Sequence, residues 1–430
     1  MKKYLPISNS LFSNNRKNFL ELIPKNSVAI FHSNEQYPRN GDQYFPFRQQ
    51  SDFFYLTGIE QEKSILLLAP GASNEKLRQA VFLIETNEKI AIWEGHKLTK
   101  PEARQVSGIQ NIYWLEEFEA SLKEVLADAE SVFLNSNEYI KFFSEVPDKN
   151  LRFARTFKEQ YPLHKVERAA PLLAKLRLIK SEEEIELLKT ACQVTKKGFE
   201  RVMKFVQAGK LEFEIQAEIE HEFTMNRADG HGYAPIIASG KNACILHYVE
   251  NNKECKDGDL LLMDFGAEYA NYSADMSRTI PVNGKFTERQ KACYNAVLRV
   301  FIKAKDFYVV GNTINGINES VNKLMEEELI NLELFSKAEV EKQDPDAPLF
   351  KKYFMHGTAH FLGLDVHDVG SKSEPLKPGM VLTCEPGLYI PEENIGIRIE
   401  NDLLITSGEP IDLMQDIPVE VDEIEAFMKK

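Results

Sequence analysis

Short apolar runs separated by polar turns characterise the first 160 or so residues of the chain. Three of these runs, residues 27–31, 64–68 and 80–84, have the length and composition of buried strands. Residues 115–127 instead show the spacing of an amphipathic helix. Alternating strands and helices of this kind predict an α/β domain, which we assign to residues 1–170.

A helix start introduces the second half of the chain. Ser181 stands three residues before Glu184, which is the spacing of a capping box, and apolar residues follow at helical intervals. We therefore expect a second domain over residues 171–430. Within it, residues 234–240 and 242–248 predict two strands joined by a glycine turn, with His247 on the second strand. A single strand histidine is either a core residue or a catalytic one, and the pattern does not decide between them.

Two aspartates follow one another along the next predicted hairpin. Asp264 ends the apolar run 260–263, and Asp275 stands eleven residues later. A hairpin centred on Tyr269 and Ala270 would place the two carboxylates opposite each other, with Cβ atoms roughly 5 Å apart. They would then repel each other unless a cation lay between them. Two solvated aspartates at a sheet edge are the alternative, which the apolar residues around Asp264 disfavour.

A second hairpin repeats this arrangement with glutamates. Glu385 ends the apolar run 380–384, and strand alternation in residues 396–402 places Arg398, Glu400 and Asp402 on one face. Three histidines, His356, His360 and His367, lie within twelve residues upstream. Four carboxylates and one imidazole form an oxygen-rich donor set, which suits a pair of Mn, Co, Fe or Zn ions holding a hydroxide nucleophile.

The spacing of His356 and His360 also resembles that of a zinc protease helix. In that motif a glutamate follows the first histidine, whereas this chain has Gly357, and Gly363 would break the helix soon afterwards. We therefore reject that alternative.

Composition limits the class of protein. The chain has 430 residues, 43% of them hydrophobic, and a formal net charge of −14. Such a charge argues against a nucleic-acid or anionic-membrane partner, because both attract basic surfaces. Five cysteines without a CxxC pair suit a reducing compartment, and no apolar run reaches the length of about 18 residues that a bilayer span needs. We expect a soluble, cytoplasmic protein.

Residues 42–58 combine charged and amide side chains with six aromatic ones. They predict either a packed strand pair with a satisfied Arg48, or the lining of a site shared with the second domain.

Taken together, these segments resemble the aminopeptidase P family, one of the pita-bread-fold metallopeptidases that also include prolidase and methionine aminopeptidase. The resemblance covers nearly the whole chain and is carried by residues 45–58, residues 356–370, Glu385 and Glu400. It implies an α/β (α+β) fold, in which an N-terminal α/β domain (1–170) precedes a pita-bread-fold catalytic domain (171–430).

The resemblance also implies the site residues. The implied ligands of two divalent ions, Mn²⁺ being expected and Co²⁺, Fe²⁺ or Zn²⁺ the alternatives, are Asp264, Asp275, His360, Glu385 and Glu400. The implied catalytic residues are Glu385, which would shuttle a proton, and His247, His367, His356 and Arg398. The implied substrate-binding residues are His247, His356, His367, Asp42 and Trp93, with Trp93 approaching from a neighbouring subunit.

The implied activity is that of a metal-dependent aminopeptidase. It would release the N-terminal residue from peptides with proline second, by attack of a metal-bridging hydroxide, and would act as a homo-oligomer, either a dimer or a tetramer. A prolidase restricted to Xaa-Pro dipeptides is the enzymatic alternative. A non-catalytic binding module or a metal-free hydrolase on the same fold would have lost ligands, and this chain retains all five.

Overall fold

The computed structural model describes residues 2–429. The chain divides into two compact units, Pro6–Arg177 and Leu178–Lys430, and the second unit also includes Met1–Leu5. Among the described residues, no helix combines the length and apolar character needed to cross a membrane.

The N-terminal unit is built around a six-stranded mixed sheet. The strands of this unit are β1 (Ser27–His32), β2 (Pro38–Asn40), β3 (Gln43–Tyr44), β4 (Ile65–Leu68), β5 (Gln79–Leu83), β6 (Asn111–Trp114), β7 (Ser131–Leu134) and β8 (Lys165–Arg168), of which β2 and β3 form a separate pair. Its helices are α1 (Asn9–Leu20), α2 (Ser51–Thr57), α3 (Glu88–Glu94), α4 (Lys100–Ser107), α5 (Phe118–Leu126), α6 (Lys149–Gln160) and α7 (Ala170–Leu178), which reaches the division between the units.

The sheet has the strand order β6-β5-β4-β1-β7-β8, and its central strands are buried along their whole length. The apolar runs at 27–31, 64–68 and 80–84 are strands, as predicted, with ends that differ by one residue. The predicted helix at 115–127 begins as a 3₁₀ turn and continues as α5. Continuous apolar runs become central strands here because helices cover them.

The aromatic segment 42–58 differs from the predicted strand pair. Only β2 and β3 pair, and the last three aromatic residues, Phe53, Phe54 and Tyr55, lie on the buried helix α2. Gln50 caps this helix by accepting a hydrogen bond from the Phe53 N–H, and Gly58 ends it in the left-handed conformation. Arg48 donates to the Gln49 carbonyl and the Ser51 hydroxyl at the start of this helix.

The second unit combines long helices with short antiparallel sheets. Its helices are α8 (Glu182–Phe205), α9 (Glu212–Met225), α10 (Glu288–Ala304), α11 (Ile314–Asn331), α12 (Lys337–Val340) and α13 (Val421–Met428). Its strands are β9 (Gly230–His231), β10 (Ile236–Ser239), β11 (Leu260–Asp264), β12 (Ala267–Tyr269), β13 (Tyr272–Ser273), β14 (Ser277–Pro281), β15 (Val381–Cys384), β16 (Gly387–Ile390), β17 (Ile395–Arg398), β18 (Asn401–Leu404) and β19 (Ile411–Asp412).

Helix α8 begins where the sequence predicts it. Ser181 accepts from the Glu184 N–H while the Glu184 carboxylate accepts from the Ser181 N–H, which completes the capping box. Glu184 is also buried, and Tyr272 donates to it from β13. The cap therefore ties the start of α8 to the sheet that leads into the site described below.

One histidine of the N-terminal unit is held away from water. His32 ends β1, and its ring lies 4.4 Å from the ring of Phe153, measured between centroids. Its Nε2 atom is buried without a hydrogen-bond partner among the described residues. Burial, helped by the charges of Lys149 and Arg152, lowers the pKa of His32 to about 3.

This pKa predicts an acid sensitivity of the N-terminal unit. The unfolded chain binds a proton at His32 below about pH 6.5, whereas the folded chain does not until about pH 3, so stability falls as the pH drops through that window. Between pH 7.5 and pH 5 the loss from this residue is about 2 kcal/mol. His32→Phe should remove it. Denaturant unfolding followed by tryptophan fluorescence measures this, because both tryptophans, Trp93 and Trp114, lie in this unit.

The control is His96→Phe in the same unit. The His96 side chain is 58% exposed, so this change should alter the pH dependence by no more than about 0.5 kcal/mol. An equal pH dependence in wild type and His32→Phe would contradict the assignment.

Candidate metal centre

The first pair of carboxylates lies on the hairpin that runs from β11 to β14. Asp264 is paired with Ser277 and not with Asp275, because the turn is centred on Ala270 and Asn271 instead of Tyr269 and Ala270. Both turn residues have positive φ, +53° and +66°, as a two-residue type I′ hairpin requires. The predicted register is therefore wrong by two residues, and the two aspartates occupy diagonal positions on one face.

Tyr233 joins these two aspartates. Its hydroxyl lies 2.6 Å from Asp264 Oδ1 and 2.5 Å from Asp275 Oδ1. The other oxygen of Asp264 accepts a hydrogen bond of 2.6 Å from Arg398 Nη2. Two carboxylates that are diagonal on the backbone thus meet at a single phenol group. Burial and the charges of both aspartates raise the pKa of Tyr233 well above its usual value, so the phenol stays a donor.

The second pair of carboxylates lies where another hairpin is interrupted. Strand β15 pairs with β18 up to Cys384 and Asn401, and β16 pairs with β17 from Gly387 and Arg398. The same register places Glu385 opposite Glu400 in the gap. Their N–H groups leave the hairpin: Glu385 donates to the Thr358 carbonyl and Glu400 to the Ser277 carbonyl. Through these two hydrogen bonds, the glutamates connect the hairpin to two other segments of the unit.

His360 lies on an irregular segment beside these carboxylates. Residues 354–360 form no helix, which agrees with rejecting the zinc protease motif. His360 Nδ1 lies 3.1 Å from the Phe361 carbonyl, so this nitrogen carries the proton. The other nitrogen, Nε2, lies 3.3 Å from Asp275 Oδ2 and 3.9 Å from Glu385 Oε1. Ligand atoms of Asp275, His360 and Glu400 all lie within 4.8 Å of one another.

The electrostatics of this cluster favour a cation. Burial and then neighbouring carboxylates raise the pKa of Glu400 well above its usual value, and burial is also the largest cause of the raised pKa values of Asp275 and Glu385. Burial alone would lower the pKa of His360, but the hydrogen bond to Asp275 and the charge of Glu385 raise it to about 9. Crowded carboxylates next to an oriented imidazole fit a divalent metal ion, which would offset their repulsion.

A chain of hydrogen bonds connects Asp264 to His356. Arg398 Nη1 donates to the Tyr389 hydroxyl at 2.7 Å, and that hydroxyl lies 2.8 Å from His356 Nε2. His356 Nδ1 contacts the Gly357 carbonyl at 2.8 Å and so carries the proton, which makes Nε2 the acceptor. Burial, and then the charge of Arg398, lowers the pKa of His356 to about 4. His356 is therefore neutral and fixed in one tautomer.

The predicted strand at 242–248 is wrong. Residues Gly240–Cys244 form a 3₁₀ helix, and His247 follows in a turn where its side chain is exposed. The buried Glu212 explains this shape, since its two oxygens gather donors from the whole loop. These donors are Ser239 N and Oγ, Asn242 Nδ2, Tyr248 Oη and Lys253 N, at 2.6–3.1 Å. An extended strand could not bring them to one point. The charge of His247 reaches His356 and contributes to lowering its pKa.

The remaining predicted residues lie in two places. The His367 ring packs edge-on against His360, with centroids 4.4 Å apart. Asp42 and Trp93 belong to the N-terminal unit. Asp42 is exposed next to β3, where it accepts a hydrogen bond from Gln43, and Trp93 is 89% exposed near the end of α3.

Sequence reasoning missed three residues of this site, Tyr233, Tyr389 and Ser277. Ser277 donates to Glu400 Oε2 at 2.6 Å and accepts from Arg398 Nε at 2.8 Å. No local signal marks a hydroxyl whose partners are remote in the sequence. A hydroxyl can donate one hydrogen bond and accept another, as Ser277 and Tyr389 do here, whereas the Tyr233 hydroxyl lies between two carboxylate acceptors.

The chain is similar to known proteins over nearly its whole length. The pattern of metallopeptidase family M24 matches residues 186–407, and that of the aminopeptidase P N-terminal domain matches residues 12–133. The Xaa-Pro aminopeptidase of Haemophilus influenzae is 35% identical over 426 residues, which cover 95% of each chain. The Xaa-Pro aminopeptidase of Escherichia coli is 35% identical over 441 residues, which cover 98% of each.

A solved structure extends the likeness to three dimensions. Zinc-substituted E. coli aminopeptidase P in complex with product has a TM-score of 0.88 and 33% identity, over 99% of both chains. The matched family and the carboxylate cluster together indicate that this protein binds divalent metal. The chain therefore belongs to metallopeptidase family M24 and combines its catalytic domain with the N-terminal domain of aminopeptidase P.

Proposed function

We propose that this protein is a dinuclear-metal aminopeptidase that removes the N-terminal residue from peptides with proline second. The observation that carries the proposal is the meeting of two carboxylate pairs, Asp264 with Asp275 and Glu385 with Glu400, beside His360. Proline selectivity follows from the Xaa-Pro aminopeptidases of H. influenzae and E. coli that the chain resembles.

The donor set supports two ions held by Asp264, Asp275, His360, Glu385 and Glu400. Hard oxygen donors with one imidazole suit Mn²⁺, which we propose as the metal. When bound, the ions supply Lewis acidity and lower the pKa of a water molecule that becomes the nucleophile. Ligand atoms of Asp275, His360 and Glu400 lie within 4.8 Å of one another, so these three side chains would hold an ion together.

Glu385 is the proposed proton carrier. The Tyr233 hydroxyl lies within hydrogen-bond distance of Asp264 and Asp275, and Glu400 accepts a hydrogen bond from Ser277. The nearest basic atoms to the Glu385 carboxylate are His356 Nδ1 at 3.8 Å and His360 Nε2 at 3.9 Å, which are beyond hydrogen-bond distance. Of the four carboxylates, Glu385 is therefore the least restrained. It can accept a proton from the nucleophilic water and deliver it to the leaving proline nitrogen.

The proline nitrogen of the substrate carries no N–H and cannot donate a hydrogen bond to the enzyme. Recognition of proline must therefore use contacts with its ring and with the preceding carbonyl. His356, neutral and fixed by Tyr389, is the proposed neighbour of the proline ring. His247 and His367 are the proposed donors to the scissile carbonyl, where negative charge develops. Arg398 restrains Asp264 and Tyr389, and Asp42 and Trp93 are proposed further substrate contacts.

The metal proposal predicts the effect of removing a ligand. His360→Ala and Asp264→Asn should each reduce the metal content below two ions per chain. Turnover should fall by at least about a hundredfold, because several kcal/mol of charge stabilisation is lost. Elemental analysis of protein purified without chelator, together with peptide hydrolysis assays, measures both quantities. His221→Ala is the control, since this histidine lies on the exposed side of α9, and it should keep wild-type values. Full occupancy and normal turnover in His360→Ala would contradict the dinuclear site.

The substrate proposal predicts a pattern of cleavage. Xaa-Pro-Yaa peptides should be hydrolysed efficiently, Xaa-Ala-Yaa peptides poorly, and N-acetylated peptides not at all, because acetylation removes the charged amine. His356→Ala should lose proline selectivity or rate while retaining its metal, since His356 is not among the proposed ligands. Chromatographic assays of matched tripeptides and dipeptides measure this.

Two results would change the assignment. Hydrolysis of Met-Ala-Yaa as fast as Arg-Pro-Pro would replace proline selectivity with a general or methionine aminopeptidase activity. Cleavage of Xaa-Pro dipeptides alone would instead make the enzyme a prolidase.

A further inference from the structure

A buried ion pair lies next to the candidate metal centre without belonging to it. Lys180 Nζ is 3.1 Å from Asp368 Oδ2, and each side chain is 1% exposed. The two residues are 188 positions apart in the sequence. Removing two charges from water costs free energy that their attraction often does not recover, so a buried pair is a weak stabiliser. Its geometric effect on the surrounding chain is therefore of greater interest.

The pair packs against a tight loop, residues 360–370, which we call the histidine loop. The Asp368 N–H donates to the Phe361 carbonyl at 2.9 Å and closes the loop. Gly363 lies against the pair: a Cβ atom there would be 2.3 Å from Asp368 Oδ2 and 2.9 Å from Lys180 Cε. Gly363 thus packs directly against the Asp368 carboxylate and the Lys180 side chain, with no room for a side chain at that position.

Other contacts connect both partners to the metal centre. The Gly363 carbonyl accepts from the Ser273 N–H at 2.9 Å, two residues before Asp275. The Lys180 N–H donates to the Gly379 carbonyl at 2.9 Å, just before the strand that ends next to Glu385. His367 directly precedes Asp368. A displacement of Asp368 would therefore move His367 relative to the segments that carry the carboxylates.

We propose that the Lys180–Asp368 pair is a positioning device that holds His367 in place against His360. The inference rests on the proposed function, in which His367 donates to the scissile carbonyl. Lys180 and Asp368 act through His367 and not on the substrate. Their contribution is to fix a donor whose distance from the carbonyl must be maintained during the reaction, when small displacements reduce the rate strongly.

The test compares Lys180→Met, Asp368→Asn and the double variant K180M/D368N. Each single variant leaves one buried charge unpaired and should lower the thermal unfolding midpoint. The double variant buries no charge, so its midpoint should recover, but the ion pair between residue 180 and the loop is then lost. We expect its amide hydrogen exchange to rise over residues 361–370. We also expect its kcat/KM for an Xaa-Pro tripeptide to fall by about a hundredfold.

The control is the same pair of substitutions at Lys196 and Asp416. This pair has a comparable distance, 2.7 Å, but its side chains are 22% and 45% exposed. K196M/D416N should change neither hydrogen exchange in the histidine loop nor kcat/KM.

A His367→Ala background separates positioning from general stability. If the pair acts through His367, K180M/D368N should have no further effect on kcat/KM in that background. An equal further loss there, or a His367→Ala enzyme with wild-type kcat/KM, would overturn the proposal. Unchanged exchange in the loop of K180M/D368N would also overturn it.

A wild-type protein that cleaves no peptide with proline second would refute the proposed function, whereas the exchange measurement would still decide whether the pair holds the loop.

Discussion

Repulsion among four crowded carboxylates is the constraint on which the catalytic unit depends. Burial raises the pKa values of Asp275, Glu385 and Glu400, and the proximity of the other carboxylates adds to this effect. The protein relieves part of the repulsion with donors that it holds in place: Tyr233 between the aspartates, and Arg398 on Asp264. What remains is negative charge aimed at a common space. Divalent cations bound there would offset the remaining repulsion among the carboxylates, so this arrangement is suited to a metal centre.

The backbone is shaped by the same constraint. A continuous hairpin from β15 to β18 would satisfy its own hydrogen bonds and leave no reason for other segments to approach. At the gap, the N–H groups of Glu385 and Glu400 instead bond to the carbonyls of Thr358 and Ser277. Each glutamate thereby fixes another part of the site, one near the histidine loop and one on β14. The interruption costs little, because every displaced N–H finds a new acceptor.

The imidazoles are oriented by the peptide chain that carries them. His356 and His360 each place Nδ1 against a neighbouring carbonyl, of Gly357 and Phe361 respectively, which directs Nε2 towards the site. One residue then contacts a hydroxyl and the other faces carboxylates. Their pKa values accordingly move in opposite directions, to about 4 for His356 and about 9 for His360. Two histidines four positions apart are thus suited to different tasks, His356 as a neutral hydrogen-bond acceptor and His360 as an imidazole directed at carboxylates.

Local interactions determined the parts of this protein that the sequence alone predicts. The capping box at Ser181, the apolar strands of the N-terminal unit and the placement of carboxylates at strand ends all depend on near neighbours in the chain. The tertiary structure decided the rest. The turn is centred on Ala270 and Asn271, which moves the register of the aspartates by two residues from the predicted one. The buried Glu212 carboxylate accepts hydrogen bonds from a segment predicted as a strand and holds it as a loop. Tyr233, Tyr389 and the Lys180–Asp368 pair carried no signal, because a contact between residues far apart in sequence leaves no periodicity in either segment, and only packing brings them within hydrogen-bond distance.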